Sequence, residues 1–184
     1  MNRRILTASL LGAVAMFLWT FVAHMVLPLG EAGVRQIDNE GPLLTNMGTT
    51  VKDQGLYLFP NMPPNNDQAA YYKKIASAPS GMLIYFPTRD FSFGQTLGIE
   101  FLTQLAQVLL GVWLLSMTRF STFASRLGFF AVLGLLAAIT TNVSYWNWYG
   151  FPAVYTLGVM VTTVMSFVCA GVVAAWMKIG GATA

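Results

Sequence analysis

Four long apolar runs, and the basic residues placed around them, constrain this chain more than any other feature. Arg3 and Arg4 precede the first run, Ile5–Leu27. Arg119 and Arg126 flank the link between the second run, Leu97–Thr118, and the third, Leu127–Val143. Lys178 follows the fourth, Pro152–Met177. Each run is near or above the roughly 20 apolar residues that cross a hydrocarbon core, so four transmembrane helices are expected. Segments that stay in the cytoplasm keep Lys and Arg, which places both termini and the Arg119–Arg126 link inside. The remaining five basic residues fall with six acidic ones in Pro28–Gln95, the one long outside segment. The expected fold is therefore an all-α membrane protein. It has a four-transmembrane-helix bundle and a small α/β extracytoplasmic cap between the first and second helices, divided as residues 1–27, 28–95 and 96–184.

Composition narrows the function classes. The chain is 55% hydrophobic and only 9% charged, against about 25% charge in an ordinary soluble domain. A formal net charge of +3 and a pI near 9.2 raise nucleic acid as a partner. The basic residues are scattered, however, and serve as topology signals, so no nucleic-acid partner is expected. The partner that composition names is the lipid bilayer, with a membrane protein or a second copy of the chain as further candidates. Ile5–Leu27 is longer than the roughly 7–15 residues of a signal-peptide core, and no small-x-small cleavage site follows it. A retained helix is expected. Cys169 is the only cysteine and His24 the only histidine. That excludes an intrachain disulfide and the usual zinc, paired-haem and iron–sulfur ligand sets. Neither a Gly-rich phosphate loop nor a nucleophile elbow occurs. No cofactor and no metal are expected.

Pro28–Gln95 is too long for a plain loop and carries local patterns. Leu43, Leu44, Met47 and Val51 recur at helical spacing and predict a short amphipathic helix ending before Gly55. Gly55–Pro60 reads as a strand bounded by Gly and Pro, and Gly81–Pro87 echoes it. Between them, after the turn-rich Asn61–Asp67, a helix over Asp67–Ala76 is expected with Asp67 as its cap. The two strands should pair. Tyr57, Tyr71, Tyr72 and Tyr85 would then face a partner or a lipid-like ligand. The third link, Ser144–Phe151, holds Tyr145, Trp146, Asn147, Trp148 and Tyr149. Interfacial anchoring explains such a cluster, while Asn147 between two tryptophans leaves room for binding.

Polar groups inside a bilayer need partners. In the second run Thr96, Glu100, Thr103, Gln104, Gln107 and Gly111 share one helical face, opposite Ile99, Leu102, Leu105 and Leu109. The fourth run has a milder stripe of Tyr155, Thr162, Ser166 and Cys169. The third offers Gly128, Ala131, Ala138 and Asn142, and the first Ala13, Phe17, Thr20 and His24. His24 and Glu100 are expected at similar depth near the outer end, with Asn142, Tyr155 and Glu31 close by. A carboxyl group and an imidazole there have two readings. They share a proton or bind a ligand head group, or they satisfy local backbone and basic partners such as Arg35 or Arg89. The candidate ligand-binding set is His24, Glu31, Glu100, Gln104, Asn142, Trp146, Asn147 and Trp148, with no catalytic residue assigned.

At His24–Glu31, Gly55–Pro60 and above all Tyr145–Pro152, the chain resembles a family of bacterial four-helix membrane proteins without an assigned function. The resemblance implies a bacterial inner-membrane location and a shared architecture, and transfers no catalytic residue. The helix layout is also similar to the claudin-like arrangement, although the outside cysteine pair and the Trp-containing signature of that family are missing. Three functions remain open at this point. The first is a non-enzymatic accessory, assembly or binding component. The others are a small transporter or proton-coupled channel with a polar path along the second helix, and a membrane enzyme or lipid binder at His24/Glu100.

Overall fold

Side-chain caps fix where most of the helices begin. Asn2 Oδ1 accepts from Arg4 N–H at 3.2 Å, and Asp67 Oδ1 from Ala70 N–H at 3.0 Å. Ser92 Oγ accepts from Gln95 N–H at 3.4 Å, and Thr122 Oγ1 from Ser125 N–H at 3.1 Å. Each satisfies a backbone donor that the first helical turn leaves free. The computed structural model describes residues 2–181. Met1 and residues 182–184, parts of the termini expected in the cytoplasm, lie outside the described residues. The elements are α1 (Arg3–Met25), α2 (Glu40–Thr50), β1 (Gly55–Phe59), α3 (Gln68–Ser77), β2 (Gly81–Tyr85), α4 (Phe93–Ser116), α5 (Phe123–Tyr149) and α6 (Ala153–Trp176). Their contacts divide the chain into two units: Arg35–Phe91, and the remainder.

In Arg35–Phe91, β1 and β2 pair antiparallel, with Gly55 opposite Tyr85 and Phe59 opposite Gly81. The helix expected between the strands is α3, capped by Asp67. The amphipathic helix expected around Leu43–Val51 is α2. None of the residues in this unit is fully buried. One sheet face carries Leu56, Leu58 and Ile84, exposed at 63%, 50% and 65%, whereas Tyr57 and Tyr85 are half-buried. The more exposed side chains of the sheet are thus aliphatic, not the tyrosines. Tyr57 instead donates its hydroxyl to Asp53 O at 2.8 Å.

In the other unit, α1, α4, α5 and α6 are each long and apolar enough to cross a membrane. The chain is thus a multi-pass membrane protein by length and composition. The mean hydropathy of α4 is lowest, 1.5 against 1.8–2.2 for the others, because Glu100, Gln104 and Gln107 interrupt it. The helices pack in the spatial order α4–α1–α6–α5. Small residues allow the close seams: a Cβ at Gly171 would fall 2.6 Å from Phe130 Cβ, across the α5–α6 contact. Ala8, Ala13, Met16, Val108, Val112, Leu115, Phe130, Phe167, Ala170 and Ala174 form one apolar core. α4 meets α5 where Gly111 backs onto Phe130 and Leu133.

Three boundaries differ by four residues or more from the apolar runs, among them the start of α5 at Phe123 instead of Leu127, set by the Thr122 cap. α4 begins at Phe93 instead of Leu97, because the Ser92 cap sets its first turn. α5 runs to Tyr149, so Ser144–Tyr149 is helix and not a link. Polar or aromatic side chains do not end a helix in an aqueous or interfacial setting. Gly150 does, in the left-handed region at φ 70°.

At the opposite end the basic residues have a structural task. Arg4 donates from Nε to Met177 O at 3.0 Å and from Nη2 to Met177 O and Lys178 O. Arg126, only 6% exposed, donates to Ile179 O at 2.6 Å, Ser121 O at 2.7 Å and Gly180 O at 3.3 Å. Carbonyls after a helix C-terminus carry partial negative charge, so both guanidiniums sit where positive charge is favoured. α1, the α4–α5 link and the end of α6 therefore share one end of this unit.

Candidate functional site

The site begins where α1 ends. Leu27 N–H donates to Val22 O at 2.8 Å and Leu29 N–H to Ala23 O at 3.2 Å, folding the chain back over the last helical turn. That fold lays Gly30 on the His24 ring so closely that a Cβ at Gly30 would overlap the imidazole. His24 Nδ1 lies 2.9 Å from Thr20 O. A carbonyl oxygen only accepts, so Nδ1 carries a proton, and in the neutral form of the ring Nε2 is then an acceptor.

A second chain of contacts ties α4 to this turn. Gln104, 4% exposed, donates from Nε2 to Glu100 Oε1 at 2.8 Å and to Thr20 Oγ1 at 3.1 Å. The Thr20 hydroxyl lies 3.1 Å from Met16 O and 3.4 Å from Ser166 Oγ. Ser166 Oγ donates to Thr162 O at 2.9 Å, which also accepts from Trp19 Nε1 at 3.0 Å. Gln104 Oε1 is buried with no hydrogen-bond partner among the described residues.

These groups line two cavities. The first, about 280 Å³, is a polar chamber with Thr20 and His24 of α1, Glu100, Gln104 and Gln107 of α4, Thr141 of α5, and Thr162, Thr163 and Ser166 of α6 on its walls. Its floor is Met16 and Phe167, which also belong to the apolar core. The second, about 370 Å³, is an apolar groove along α1 and α4, lined by Phe17, Phe21, Met25, Phe93, Thr96 and Leu97. Thr20, His24 and Glu100 line both. They form the threshold between a polar chamber and an apolar groove, and His24 and Glu100 stay accessible there.

Of the residues singled out from the sequence, His24, Glu100 and Gln104 come together. Glu31 does not: it is exposed in the turn beyond α1, its carbonyl accepting from Val34 N–H at 2.9 Å. Asn142 donates its amide to Ala138 O of its own helix at 2.9 Å. Tyr155 packs against Phe151 at 5.7 Å between ring centroids, and away from the chamber walls. Trp146 lines a separate apolar recess with Val143, Leu157 and Met160. Asn147 is exposed, and Trp148 is 79% exposed. Sequence reasoning missed Gly30, Thr141, Thr163 and, apart from Phe17, the aromatic wall of the groove. Phe17 and Phe21 recur four residues apart on the His24 side of α1, which was the available signal. Among the described residues, no group of three or more His, Cys, Asp and Glu side chains is placed to hold a metal ion. The chain matches no family model, no curated protein and no solved structure.

Proposed function

We propose that this protein is a membrane-embedded binding component that holds a single amphiphilic molecule. The polar head would occupy the chamber around His24, Glu100 and Gln104, and the apolar tail the groove between α1 and α4. The observation that carries this reading is the shared threshold of the two cavities, Thr20, His24 and Glu100. Ligand pockets usually span about 300–1,000 Å³; the chamber falls just below that range and the groove near its lower end, while the two together suit one elongated ligand. A tail leaving lipid for an apolar groove changes its surroundings little, since lipid is as apolar as the groove. Recognition then rests on the head group.

The same reading places the chamber in the outer half of a bacterial inner membrane with both termini cytoplasmic. Support comes from the resemblance in the motifs and from the clustering of Arg4 and Arg126 at the end remote from His24. In this orientation the four long helices act as a transmembrane bundle. The apolar floor of Met16 and Phe167, continuous with Val108, Val112 and Leu115, argues against a polar path through the membrane.

The test is photo-crosslinking in phosphatidylcholine nanodiscs with two versions of one single-chain amphiphile. One carries a diazirine at mid-tail, the other beside the head. Tail adducts at Phe17, Phe21 or Leu97 and head adducts at Thr141, Thr163 or Gln107 are expected. Adducts spread evenly over all lipid-facing helix surfaces would contradict the reading.

A further inference from the structure

Resting on that reading, we infer that the head group is a protonated amine, a hydrogen-bond donor carrying positive charge. Most of the polar groups on the chamber wall are acceptors, the amide of Gln107 being the exception with donors still to place. The hydroxyl protons of Thr141, Thr162, Thr163 and Ser166 are spent on carbonyls of their own helices at 2.8–2.9 Å. That leaves the hydroxyl oxygens with lone pairs to offer. His24 spends its Nδ1 proton on Thr20 O, which in the neutral form of the ring leaves Nε2 as an acceptor. The Gln104 amide spends Nε2 on Glu100 and Thr20, and its Oε1 is the buried acceptor without a partner.

Charge points the same way. Among the described residues, Glu100 is the only acidic side chain on the chamber wall, and neither Lys nor Arg lines it. Its hydrogen-bond partner is the neutral amide of Gln104. A carboxylate held within membrane depth is costly without a counter-ion, and a bound ammonium would supply one. An ammonium also brings three donors, matching Glu100, His24 Nε2 and one of the hydroxyl oxygens. A phosphate or carboxylate head would instead meet a like charge and a wall of lone pairs, with no cation to receive it.

The experiment measures binding of dodecylamine, dodecanol, dodecanoate and dodecyl phosphate to the full chain in phosphatidylcholine nanodiscs. Wild type and Glu100→Gln are compared in identical discs, which cancels partitioning into the lipid. The substitution keeps the contact to Gln104, because an amide oxygen also accepts, and an unchanged melting temperature verifies folding. Dodecylamine should bind wild type roughly tenfold or more tighter than dodecanol, as charge-assisted hydrogen bonds require. Glu100→Gln should erase that preference, bringing dodecylamine to about the affinity of dodecanol. Tightest binding of dodecanoate or dodecyl phosphate to wild type, or an amine preference that survives Glu100→Gln, would overturn the head-group assignment and leave the amphiphile reading standing. Equal affinity of all four probes that Phe21→Ala leaves untouched would overturn both.

Discussion

Thr20 illustrates how much one side chain can organise. Its carbonyl holds the His24 ring, and its hydroxyl oxygen receives the Gln104 amide and lies beside Ser166. Thr20→Val keeps the shape and the carbonyl but deletes the acceptor and the donor. A stability loss of about 1 kcal/mol is expected, read as a lower melting temperature in detergent. Gly30→Ala tests a different link. The added methyl group cannot coexist with the imidazole in its present place, so His24 must swing away. Amine binding should weaken several-fold, as isothermal titration in nanodiscs would report, while helix content by circular dichroism stays the same. His24, Glu100 and Gln104 were legible in the sequence because a polar group in an apolar helix stands out and 3.6-residue spacing gives its face. Trp146, Asn147 and Trp148 lie away from the chamber, and composition could not show that. An aromatic cluster at a helix end has the same composition whether it binds a ligand or anchors the helix in the interface. Asn142 could not be assigned from spacing alone, since periodicity does not tell a side chain aimed at a neighbour from one bonded to its own helix.

Among the elements, the end of α6 carries the least expected dependence. Arg126 reads from the sequence as a topology signal, yet the guanidinium is buried and gathers three carbonyls. Arg126→Met should cost about 2–4 kcal/mol, since Ile179 and Gly180 lose a charged donor. Arg126→Lys should fall between, because an ammonium on a flexible stem cannot span the same fork. Thermal unfolding of the purified variants checks both. Element type was legible almost throughout. Gly–Pro punctuation and the echo between the two stretches gave β1 and β2, Asp67 gave the start of α3, and the apolar runs gave α1, α4, α5 and α6. Boundaries were less so, because hydropathy marks where lipid would begin, whereas caps such as Ser92, Thr122 and Gly150 mark where the helix does.

For the whole molecule, the arrangement α4–α1–α6–α5 determines the site. α4 and α5 meet at Gly111 and Phe130 and leave the chamber between their other halves. That order was not legible, since four stripes of polar or small residues fit several packings equally well. The orientation proposed for the membrane rests on positive charge and is checked by labelling. A cysteine replacing Asn66, in a background where Cys169 is replaced by Ala, should react with an impermeant thiol reagent in intact spheroplasts. One replacing Ser121 should react only after lysis.

The central claim is that one molecule fills the chamber and the groove at once, and blocking each cavity separately tests it most directly. Ala137→Phe places a ring in the chamber and Thr96→Trp places one in the groove, at positions that line one cavity each. Dodecylamine binding to full-length protein in nanodiscs is then measured for both single variants and the double variant. The account predicts that either substitution alone lowers affinity at least about tenfold, and that the double variant is little worse than the singles, since both abolish the same binding event. Affinity lost in one single variant and retained in the other would contradict it.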